Sequence, residues 1–340
     1  MTGGTNKTIL ITGGAGFIGS FTAKFCAEAG FQVVVLDNLV TGRSDRARWG
    51  RFHRADIRDV ELVRHILRTH RVSAVIHLAA STQVAESILN PAEYFSNNVD
   101  GVVALLDAMV AENVLRVVFA SSCSVYGNTA SAWIDEAHET HPVSPYGESK
   151  LLAESALQRC EAEYGLKSVS LRYFNVAGGD SEAGLGEHPD RSSRIIPRTF
   201  LAAEHGGAPL RIFGSSYDTR DGTAVRDYVH VSDIARANLL ATEYLLANRP
   251  STTLNIGAGT GSSVTQIVDE MARVLGKAVP VLPGDPRPGD PPYAVSDPSR
   301  ANEVLGWLPY HSSLKEIVAS AASYYRSIAA QSATAVPRTV

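Results

Sequence analysis

Cysteine, tryptophan and methionine are rare in this chain, with three copies of each among 340 residues. The cysteines, Cys26, Cys123 and Cys160, are odd in number and show neither CxxC nor metal-ligand spacing. This pattern argues against a disulfide framework and against a structural zinc site. We therefore expect free thiols in a reducing compartment, the cytoplasm, and no bound metal.

Long apolar runs and basic clusters are also missing. No stretch approaches about 18 uninterrupted apolar residues, so we expect no membrane contact. The opening segment MTGGTNKTILITGG has no apolar run before a small-residue cleavage site, so we expect no secretory signal. Lysine and arginine are scattered and the formal net charge is −4, which argues against nucleic acid as a partner.

Short apolar β-type runs do alternate with helix-like stretches through the first half of the chain. The runs are KTILIT (7–12), FQVVVLD (31–37), VSAVIHLA (72–79), LRVVFASS (115–122) and SVSLRYFN (168–175). They are too apolar to leave one face in water, so they predict an α/β fold with a Rossmann-like, doubly wound parallel sheet.

The amino-acid composition changes after residue 175, and Gly, Pro, Asp and Arg dominate up to about residue 226. Later segments read as smaller α/β units. We expect a first domain over 1–175, to which part of about 226–250 returns, and a smaller interleaved α/β substrate domain over 176–330. A cleft should lie between the two domains, and 331–340 should be a tail.

The stretch TGGAGFIG (12–19) follows a strand and opens a helix. Gly13 and Gly16 would let backbone N–H groups approach a pyrophosphate, while Gly19 would let the helix pack on the strand. Asp37 ends the second strand, where a carboxylate binds ribose hydroxyls and repels a 2′-phosphate, which favours NAD over NADP. The alternatives are a tight turn without a ligand and a loop or capping role for Asp37.

Two other features are interpreted as structural. The glycine cluster IGAGTGSS (256–263) also follows a strand, and we expect a turn with a serine N-cap for the next helix. His77 and His230 border apolar strands, where a histidine is more often a hydrogen-bonded core residue than a catalyst.

The stretch SPYGESK (144–150) places Tyr146 four residues before Lys150, on one face of a helix. A phenol with a pKa near ~10 is a poor base at neutral pH, but a nearby ammonium and a cationic nicotinamide both favour the phenolate. Ser122 and Ser124 end a strand where a substrate hydroxyl could be held. On spacing alone, the tyrosine and lysine could equally be neighbours on a helix surface.

Several motifs together resemble one known family, the extended short-chain dehydrogenases/reductases. They are TGGAGFIG, DN at 37–38, ADI at 55–57, HLAA at 77–80, NNV at 97–99, SSCSVYG, YGESK, LRYFN and VRDYVHV. The similarity runs from about residue 7 to 325. FGSSYDTRDGTAVRDYVHV (213–231) and RYFNVAGGD (172–180) most resemble its UDP-glucose (UDP-galactose) 4-epimerase branch.

The resemblance implies an NAD-dependent isomerase that interconverts UDP-glucose and UDP-galactose, or UDP-GlcNAc and UDP-GalNAc, through a 4-keto sugar. It implies that Tyr146 is the base and acid, that Lys150 is its electrostatic partner, and that Ser122 is the catalytic serine. The implied NAD contacts are Gly13, Gly16, Phe17, Ile18, Gly19, Asp37, Asn38, Asp56, Ile57, Leu78, Ala79, Ala80, Asn97, Tyr146, Lys150 and Tyr173. The implied nucleotide-sugar contacts are Ser122, Asn175, Arg194, Arg226, Arg287, Asp290 and Ala294.

Three positions depart from the family pattern. Arg194 stands where these epimerases often carry an amide or histidine, and it would meet an extra phosphate or carboxylate or face solvent. Thr82 stands where some members have a lysine near the nicotinamide. Ala294 is small where a bulky residue excludes 2-N-acetyl sugars, so we expect a roomy pocket, although a one-residue slip to Tyr293 would reverse this expectation.

Other functions remain open at this stage. A nucleotide-sugar dehydratase or decarboxylase of the same fold needs an extra acid or base beside the serine, where this chain has Cys123 and Ser124. A 4-epimerase for another nucleotide sugar in secondary metabolism and a non-catalytic NAD-binding protein are further alternatives. By resemblance, the helix of about 91–113 and the helix from Pro145 should pair across a two-fold axis in a homodimer.

Overall fold

The computed structural model describes residues 7–129, 131–204, 208–286 and 290–334. The strands are β1 (Thr8–Thr12), β2 (Gln32–Asp37), β3 (Arg51–Arg54), β4 (Val72–His77), β5 (Arg116–Ser122), β6 (Trp133–Ile134), β7 (Lys167–Tyr173), β8 (Asn175–Ala177), β9 (Gly179–Asp180), β10 (Leu185–Gly186), β11 (Leu210–Phe213), β12 (Val225–His230), β13 (Thr252–Ile256), β14 (Gly261–Ser263), β15 (Val281–Gly284) and β16 (Tyr293–Ser296). The helices are α1 (Phe17–Glu28), α2 (Val60–Thr69), α3 (Val84–Leu89), α4 (Pro91–Phe95), α5 (Gly101–Ala111), α6 (Pro145–Tyr164), α7 (Ile195–Glu204), α8 (Val231–Leu246), α9 (Val264–Leu275), α10 (Ser299–Leu305) and α11 (Leu314–Thr334).

A seven-stranded parallel sheet forms the centre of the molecule, in the order β3-β2-β1-β4-β5-β7-β13. The predicted doubly wound α/β fold is therefore confirmed. The chain leaves β1 toward β2 on one side and returns as β4 on the other side. In open sheets of this kind, ligands bind at the carboxyl ends of the strands beside this switch point.

Alternate side chains of the buried strands fill two separate cores. Ile9 and Ile11 of β1 pack toward α1 and α8, whereas Leu10 packs toward α2, α5 and α6. All five residues of β1 are buried. Successive strand residues point to opposite faces, so a strand covered by helices on both sides has to be apolar throughout.

The second part of the chain contributes both to this sheet and to a smaller unit. β13 pairs with β7 at the edge of the parallel sheet. It follows, in sequence, the segment of about 226–250 that we expected to return to the first domain. Its sequence indicates a strand but carries no signal for the edge it joins. The smaller unit contains the strand set β14-β12-β16-β6, the pair β11-β15, and helices α7, α9 and α11 around Phe200, Met271 and Tyr325. The domain boundaries themselves stay a prediction.

The helix expected over about 91–113 is continuous but not uniform. A π-helical turn, Ser96–Asp100, joins α4 to α5, and such turns occur frequently at functional sites. The serine cap predicted after IGAGTGSS is confirmed, because Ser263 and Gln266 form a reciprocal capping box at the start of α9. Within the described ranges, no helix has the length and apolar character needed to cross a bilayer.

Candidate active site

The glycine loop lies between β1 and α1, at the switch point of the sheet. Gly13 has φ +70°, and a Cβ there would lie 2.6 Å from the backbone nitrogen of Ala79. A Cβ on Gly19 would lie 2.1 Å from the carbonyl oxygen of Gly13. Gly16 is the N-cap of α1, and no described side chain caps that end. The first N–H groups of α1 are thus free to meet an anion, which fits a dinucleotide pyrophosphate.

Asp37 lies at the carboxyl end of β2 and is buried. Its carboxylate accepts hydrogen bonds from the backbone N–H groups of Ala15 (3.0 Å) and Leu39 (2.8 Å). Burial raises the pKa of Asp37, and these two bonds oppose that rise. Asp37 therefore does stabilise the loop. The same hydrogen bonds fix its carboxylate beside the glycine loop, where ribose hydroxyls would approach.

Asn38 and Asp56 form the next polar pair along this edge. The Asn38 amide donates to Asp56 at 3.2 Å, and Arg58 makes a double hydrogen bond to the Asp56 carboxylate. Mainly because of the Arg58 hydrogen bonds, the pKa of Asp56 is well below its ordinary value. Asp56 is therefore an anion at neutral pH and can accept hydrogen bonds from an adenine or ribose group.

The remaining positions assigned to the cofactor lie around the same edge of the sheet. Phe17 and Ile18 form the first turn of α1, Ile57 is buried against Gly101, and Leu78, Ala79 and Ala80 continue from β4. The Asn97 amide donates to the Ser81 hydroxyl at 3.3 Å. Tyr173 ends β7, and its hydroxyl donates to Asn238 of α8 at 2.6 Å, so its phenol group is already hydrogen-bonded within the protein.

The three proposed catalytic side chains come from two adjoining elements. Ser122 ends β5, and its hydroxyl accepts the backbone N–H of Ser124 at 3.1 Å. Tyr146 and Lys150 lie on α6, which begins after the N-cap Ser144. The Lys150 ammonium donates to the carbonyl of Ala120 at 2.9 Å and lies 6.0 Å from the centre of the Tyr146 ring. The structure thus brings all three side chains to the carboxyl end of β5.

Burial dominates the protonation behaviour of the catalytic pair. It raises the pKa of Tyr146, while hydrogen bonding to Ser122 and the charge of Arg194 lower it. Burial also lowers the pKa of Lys150 to about 7, and the charge of Glu154 opposes that change. The protein's own groups therefore leave the phenol protonated at neutral pH, so its activation needs additional positive charge next to the ring.

Two groups near this pair were not identified from the sequence. Asn98, in the π-helical turn, accepts the N–H of Ser81 and donates to the Ser81 carbonyl and to the Ser149 hydroxyl on α6. The Tyr94 ring meets the Tyr146 ring edge to face at 6.5 Å. NNV and YGESK were both recognised as motifs, but only their proximity in the fold reveals these contacts.

The nucleotide-sugar positions form a second group, on β8, β12 and β16. Arg226 forms an ion pair with Asp290. Asp227 is buried and accepts four hydrogen bonds, from Ala258, Gly259 and the backbone and side chain of Ser296. Asn175 begins β8 and is paired in register with Tyr228. Arg287 lies outside the described residues.

Ala294 and Tyr293 are on opposite faces of β16. Ala294 is paired in register with Arg226 and packs against the cluster around Tyr126 and Phe174, which Cys123, the residue after Ser122, also contacts. Tyr293 lines a different cleft, together with Arg220 and Asp221. Successive strand residues alternate between faces, so of the two residues Ala294 is the one that faces this cluster.

Arg194 lies in the segment before α7, where this segment approaches the first domain. Its guanidinium forms an ion pair with Glu187 at 3.0 Å and is half-exposed. Ser193 donates to Gln83 at 3.0 Å, and Gln83 in turn hydrogen-bonds to the Tyr94 hydroxyl. Arg194 is therefore held near Tyr146, whose pKa it lowers.

A family model described as the NAD dependent epimerase/dehydratase family matches residues 9–257. This chain belongs to that family. A "UDP-glucose 4-epimerase" of Rhizobium meliloti (strain 1021) is 40% identical over 306 residues, which are 90% of this chain and 93% of the relative.

Two solved structures of other family members are similar to this one over nearly the whole chain. A UDP-glucose 4-epimerase from Brucella ovis in complex with NAD has a TM-score of 0.92 at 42% identity and covers 94% of this chain and 98% of its own. A UDP-glucose-4-epimerase from Stenotrophomonas maltophila, with bound NAD and formylated UDP-arabinopyranose, has a TM-score of 0.92 at 35% identity and covers 96% and 100%. The resemblance seen in the sequence is thus confirmed for the family and for the fold.

Proposed function

We propose that this family member is an NAD-dependent isomerase, a nucleotide-sugar 4-epimerase that interconverts UDP-glucose and UDP-galactose through a 4-keto sugar. The observation that carries the proposal is the placement of Ser122, Tyr146 and Lys150 at the carboxyl end of β5, close to the glycine loop. The relatives that bind NAD and UDP-sugars support it.

The dinucleotide would be held by the glycine loop, by the free N-terminus of α1 and by the Asp37 carboxylate. A side chain at Gly13 would collide with the backbone of Ala79, and one at Gly16 would press on the Gly13 carbonyl, so glycine at both positions allows the tight loop that a pyrophosphate approaches closely. Asp37 supplies a negative charge that disfavours a 2′-phosphate, so NAD is the expected cofactor. When bound, NAD supplies the hydride acceptor and donor for carbon 4 of the sugar and a positive ring beside the phenol.

The protein's own residues handle the proton. Tyr146 would take the proton of the sugar 4-hydroxyl and return it to the 4-keto oxygen after the sugar has turned its other face. Ser122 would hold that oxygen through its hydroxyl, and Lys150 would favour the phenolate electrostatically and bind the nicotinamide ribose. Proton transfer by a positioned side chain contributes roughly 10²- to 10⁴-fold to a rate.

The diphosphate would be held by Arg226, Asn175 and Arg287, with Asp290 close to the diphosphate and ribose. Arg226 is mostly buried, and its pairing with Asp290 fixes the guanidinium where it can meet a phosphate. Arg194 would add a second positive charge at the sugar end of the site. Such a charge suits a phosphate or a carboxylate on the substrate, which keeps another nucleotide sugar open as a second substrate class.

N-acetyl sugars are the specific second candidate, and the side-chain direction on β16 favours them. Ala294 faces the same cluster as Cys123, and its methyl group takes up less room there than a bulkier side chain would. We therefore include UDP-GlcNAc and UDP-GalNAc among the expected substrates. A dehydratase or decarboxylase is disfavoured, because burial raises the pKa of the Cys123 thiol next to Ser122 to about 12 and Ser124 carries no carboxylate.

A homodimer through α5 and α6 is part of the proposal. Val103 on α5 and Leu152 on α6 are each 43% exposed, so each of these neighbouring helices carries a large aliphatic side chain that a second copy could cover. Light scattering coupled to size exclusion should give a mass near twice 36.3 kDa. The three free thiols fit a cytoplasmic enzyme of galactose metabolism.

Product analysis tests the function directly. Purified protein is incubated with UDP-galactose, UDP-GalNAc and UDP-galacturonate, and the products are resolved by chromatography and mass. Formation of the 4-epimer at unchanged mass supports the proposal, whereas loss of water or carbon dioxide indicates the dehydratase or decarboxylase. No conversion of any of the three, with NAD bound, would contradict the epimerase assignment.

A further inference from the structure

A buried row of polar side chains crosses three strands directly behind the catalytic pair. Ser121 of β5, Arg172 of β7 and Asn255 of β13 are partners in register, so their side chains lie side by side on one face of the sheet. At most 7% of each residue is exposed. An arginine buried to this degree requires a charged partner, and that partner comes from the helix above.

Glu154 of α6 is that partner. Its carboxylate accepts two hydrogen bonds from Arg172, at 3.0 Å and 2.7 Å, and a third from the Ser121 hydroxyl at 2.5 Å. It is 4% exposed. This paired, two-point geometry is the strong form of a buried ion pair, because both carboxylate oxygens and three donors are used.

The network continues from Arg172 to the turn that follows Ser122. Arg172 also donates to the Tyr126 hydroxyl at 2.9 Å, and Tyr126 donates to Asn255 at 2.7 Å. Ser121 is the immediate neighbour of Ser122 and of Ala120, whose carbonyl holds the Lys150 ammonium. The network therefore connects α6, which carries Tyr146 and Lys150, to the end of β5, which carries Ser122.

We propose that Glu154 is a positioning residue of the reaction: its carboxylate, held by Arg172 and Ser121, fixes α6 on β5 and supplies the negative charge that keeps the Lys150 ammonium charged beside Tyr146. The inference rests on the proposed function. Glu154 lies one helical turn after Lys150, so the two side chains share a face of α6.

The charged and titratable groups around Lys150 agree with this assignment. Glu154 and Tyr146 face it from its own helix, and His77 faces it from β4. Burial lowers the pKa of His77 to about 3, so this imidazole is neutral at working pH and contributes no charge. Glu154, although it is paired with Arg172, is thus the described anion whose charge favours the Lys150 ammonium, and its loss should leave Lys150 more easily deprotonated and the Tyr146 phenol harder to ionise.

The test uses Glu154→Gln, which removes the charge, and Glu154→Asp, which keeps the charge but shortens the reach. Glu161→Gln is the matched control, since Glu161 is on the same helix and pairs with Lys167 at 2.7 Å, farther from the catalytic pair. We expect E154Q to lower kcat at least about tenfold with KM changed less than about twofold, because no substrate contact is lost. E161Q should behave as wild type.

A second readout does not depend on turnover. The ultraviolet titration of the Tyr146 phenol is obtained in the NAD-bound protein as the difference between each protein and its Tyr146→Phe counterpart. E154Q should shift that titration to higher pH, whereas E154D should titrate like wild type even though its kcat falls. Thermal unfolding and bound NAD are measured for every variant.

An unshifted titration in folded, NAD-bound E154Q would overturn the proposal, as would a kcat loss that only follows loss of thermal stability. If E154Q does not fold, Ser121→Ala is the deciding variant. It removes one hydrogen bond to the Glu154 carboxylate and should lower kcat while the Tyr146 titration stays unshifted. An unchanged kcat in S121A would overturn the proposal that this carboxylate fixes α6 on β5. A wild-type protein that turns over no nucleotide sugar refutes the epimerase function, but the titrations still decide the role of Glu154.

Discussion

Lys150 and Tyr146 lie one turn apart on α6, yet the Lys150 ammonium is bonded to the carbonyl of Ala120, at 2.9 Å, and lies 6.0 Å from the centre of the Tyr146 ring. The lysine therefore acts on the phenol through space and not through a direct hydrogen bond. Because burial raises the pKa of Tyr146, the phenol depends on nearby positive charge for its activity as a base.

Tyr146→Phe should reduce kcat for UDP-galactose by roughly 10²- to 10⁴-fold, because the variant removes the proton carrier and little else. Steady-state assays give the rate, and absorbance after denaturation gives the bound NAD. Thermal unfolding should change little, since the ring remains packed against Tyr94. A variant that turns over at the wild-type rate would show that another group moves the proton.

Ala294→Tyr should abolish turnover of UDP-GalNAc while UDP-galactose is still converted, because the new ring would project from the face of β16 that meets the same cluster as Cys123. Competition between the two sugars, followed by chromatography, measures the change in preference. The matched control is Tyr293→Ala on the same strand, which should leave the preference unchanged since Tyr293 lines another cleft. If Y293A, and not A294Y, alters the preference, the assignment of faces is wrong.

Asp37→Asn should weaken NAD binding about 10- to 100-fold, since a lost charge-assisted hydrogen bond costs about 1.5–3 kcal/mol and each 1.4 kcal/mol is tenfold. Dialysis followed by calorimetric titration with NAD measures the affinity. Asp45→Asn is the control, because Asp45 is exposed and pairs with Arg43 on the surface. Unaltered NAD affinity in D37N would remove this carboxylate from the ribose site.

His230 should make the protein sensitive to acid. Its ring is buried. Nδ1 accepts a hydrogen bond from the Ser232 N–H, and Nε2 is hydrogen-bonded to the Ser320 hydroxyl. Burial lowers its pKa from 6.5 to about 4, so between these values the unfolded chain binds a proton that the folded protein does not. The stability contributed above pH 6.5 is therefore lost progressively as the pH falls toward 4. The titratable groups facing the ring are Asp233, His311, Glu316 and Asp180.

Denaturant unfolding at pH 7 and pH 4.5 measures this effect. His230→Gln should lose less stability over that interval than wild type, by up to about 3 kcal/mol at 1.36 kcal/mol per pKa unit. His141→Gln, at an exposed histidine, should lose as much as wild type. Identical acid losses in wild type and H230Q would show that other groups control acid unfolding.

Features that depend on residues close together in the chain could be predicted from the sequence. The strand before Gly13, the helix after it and the acidic end of β2 follow from apolar runs and glycine spacing within about 30 residues. The spacing of Tyr146 and Lys150 likewise fixes their common helix face. The serine cap of α9 could be predicted because Ser263 and Gln266 are three residues apart.

Features that depend on strand register could not be predicted in this way. Arg172 and Glu154 are 18 residues apart and meet only because β7 lies beside β5 under α6. Asn255 joins them because β13 adds to the edge of β7, which a short apolar run does not specify. The face of β16 that carries Ala294 is known only once β12 fixes its register.

The pairing of β13 with β7 also has a consequence for biosynthesis. About 80 residues separate the two strands, so in a nascent chain the edge of β7 away from β5 stays unpaired until Ile256 has left the ribosome. At 5–20 residues per second that interval lasts several seconds. During it the exposed edge is open to pairing with other chains, so chaperone demand and aggregation should peak while this stretch is being translated.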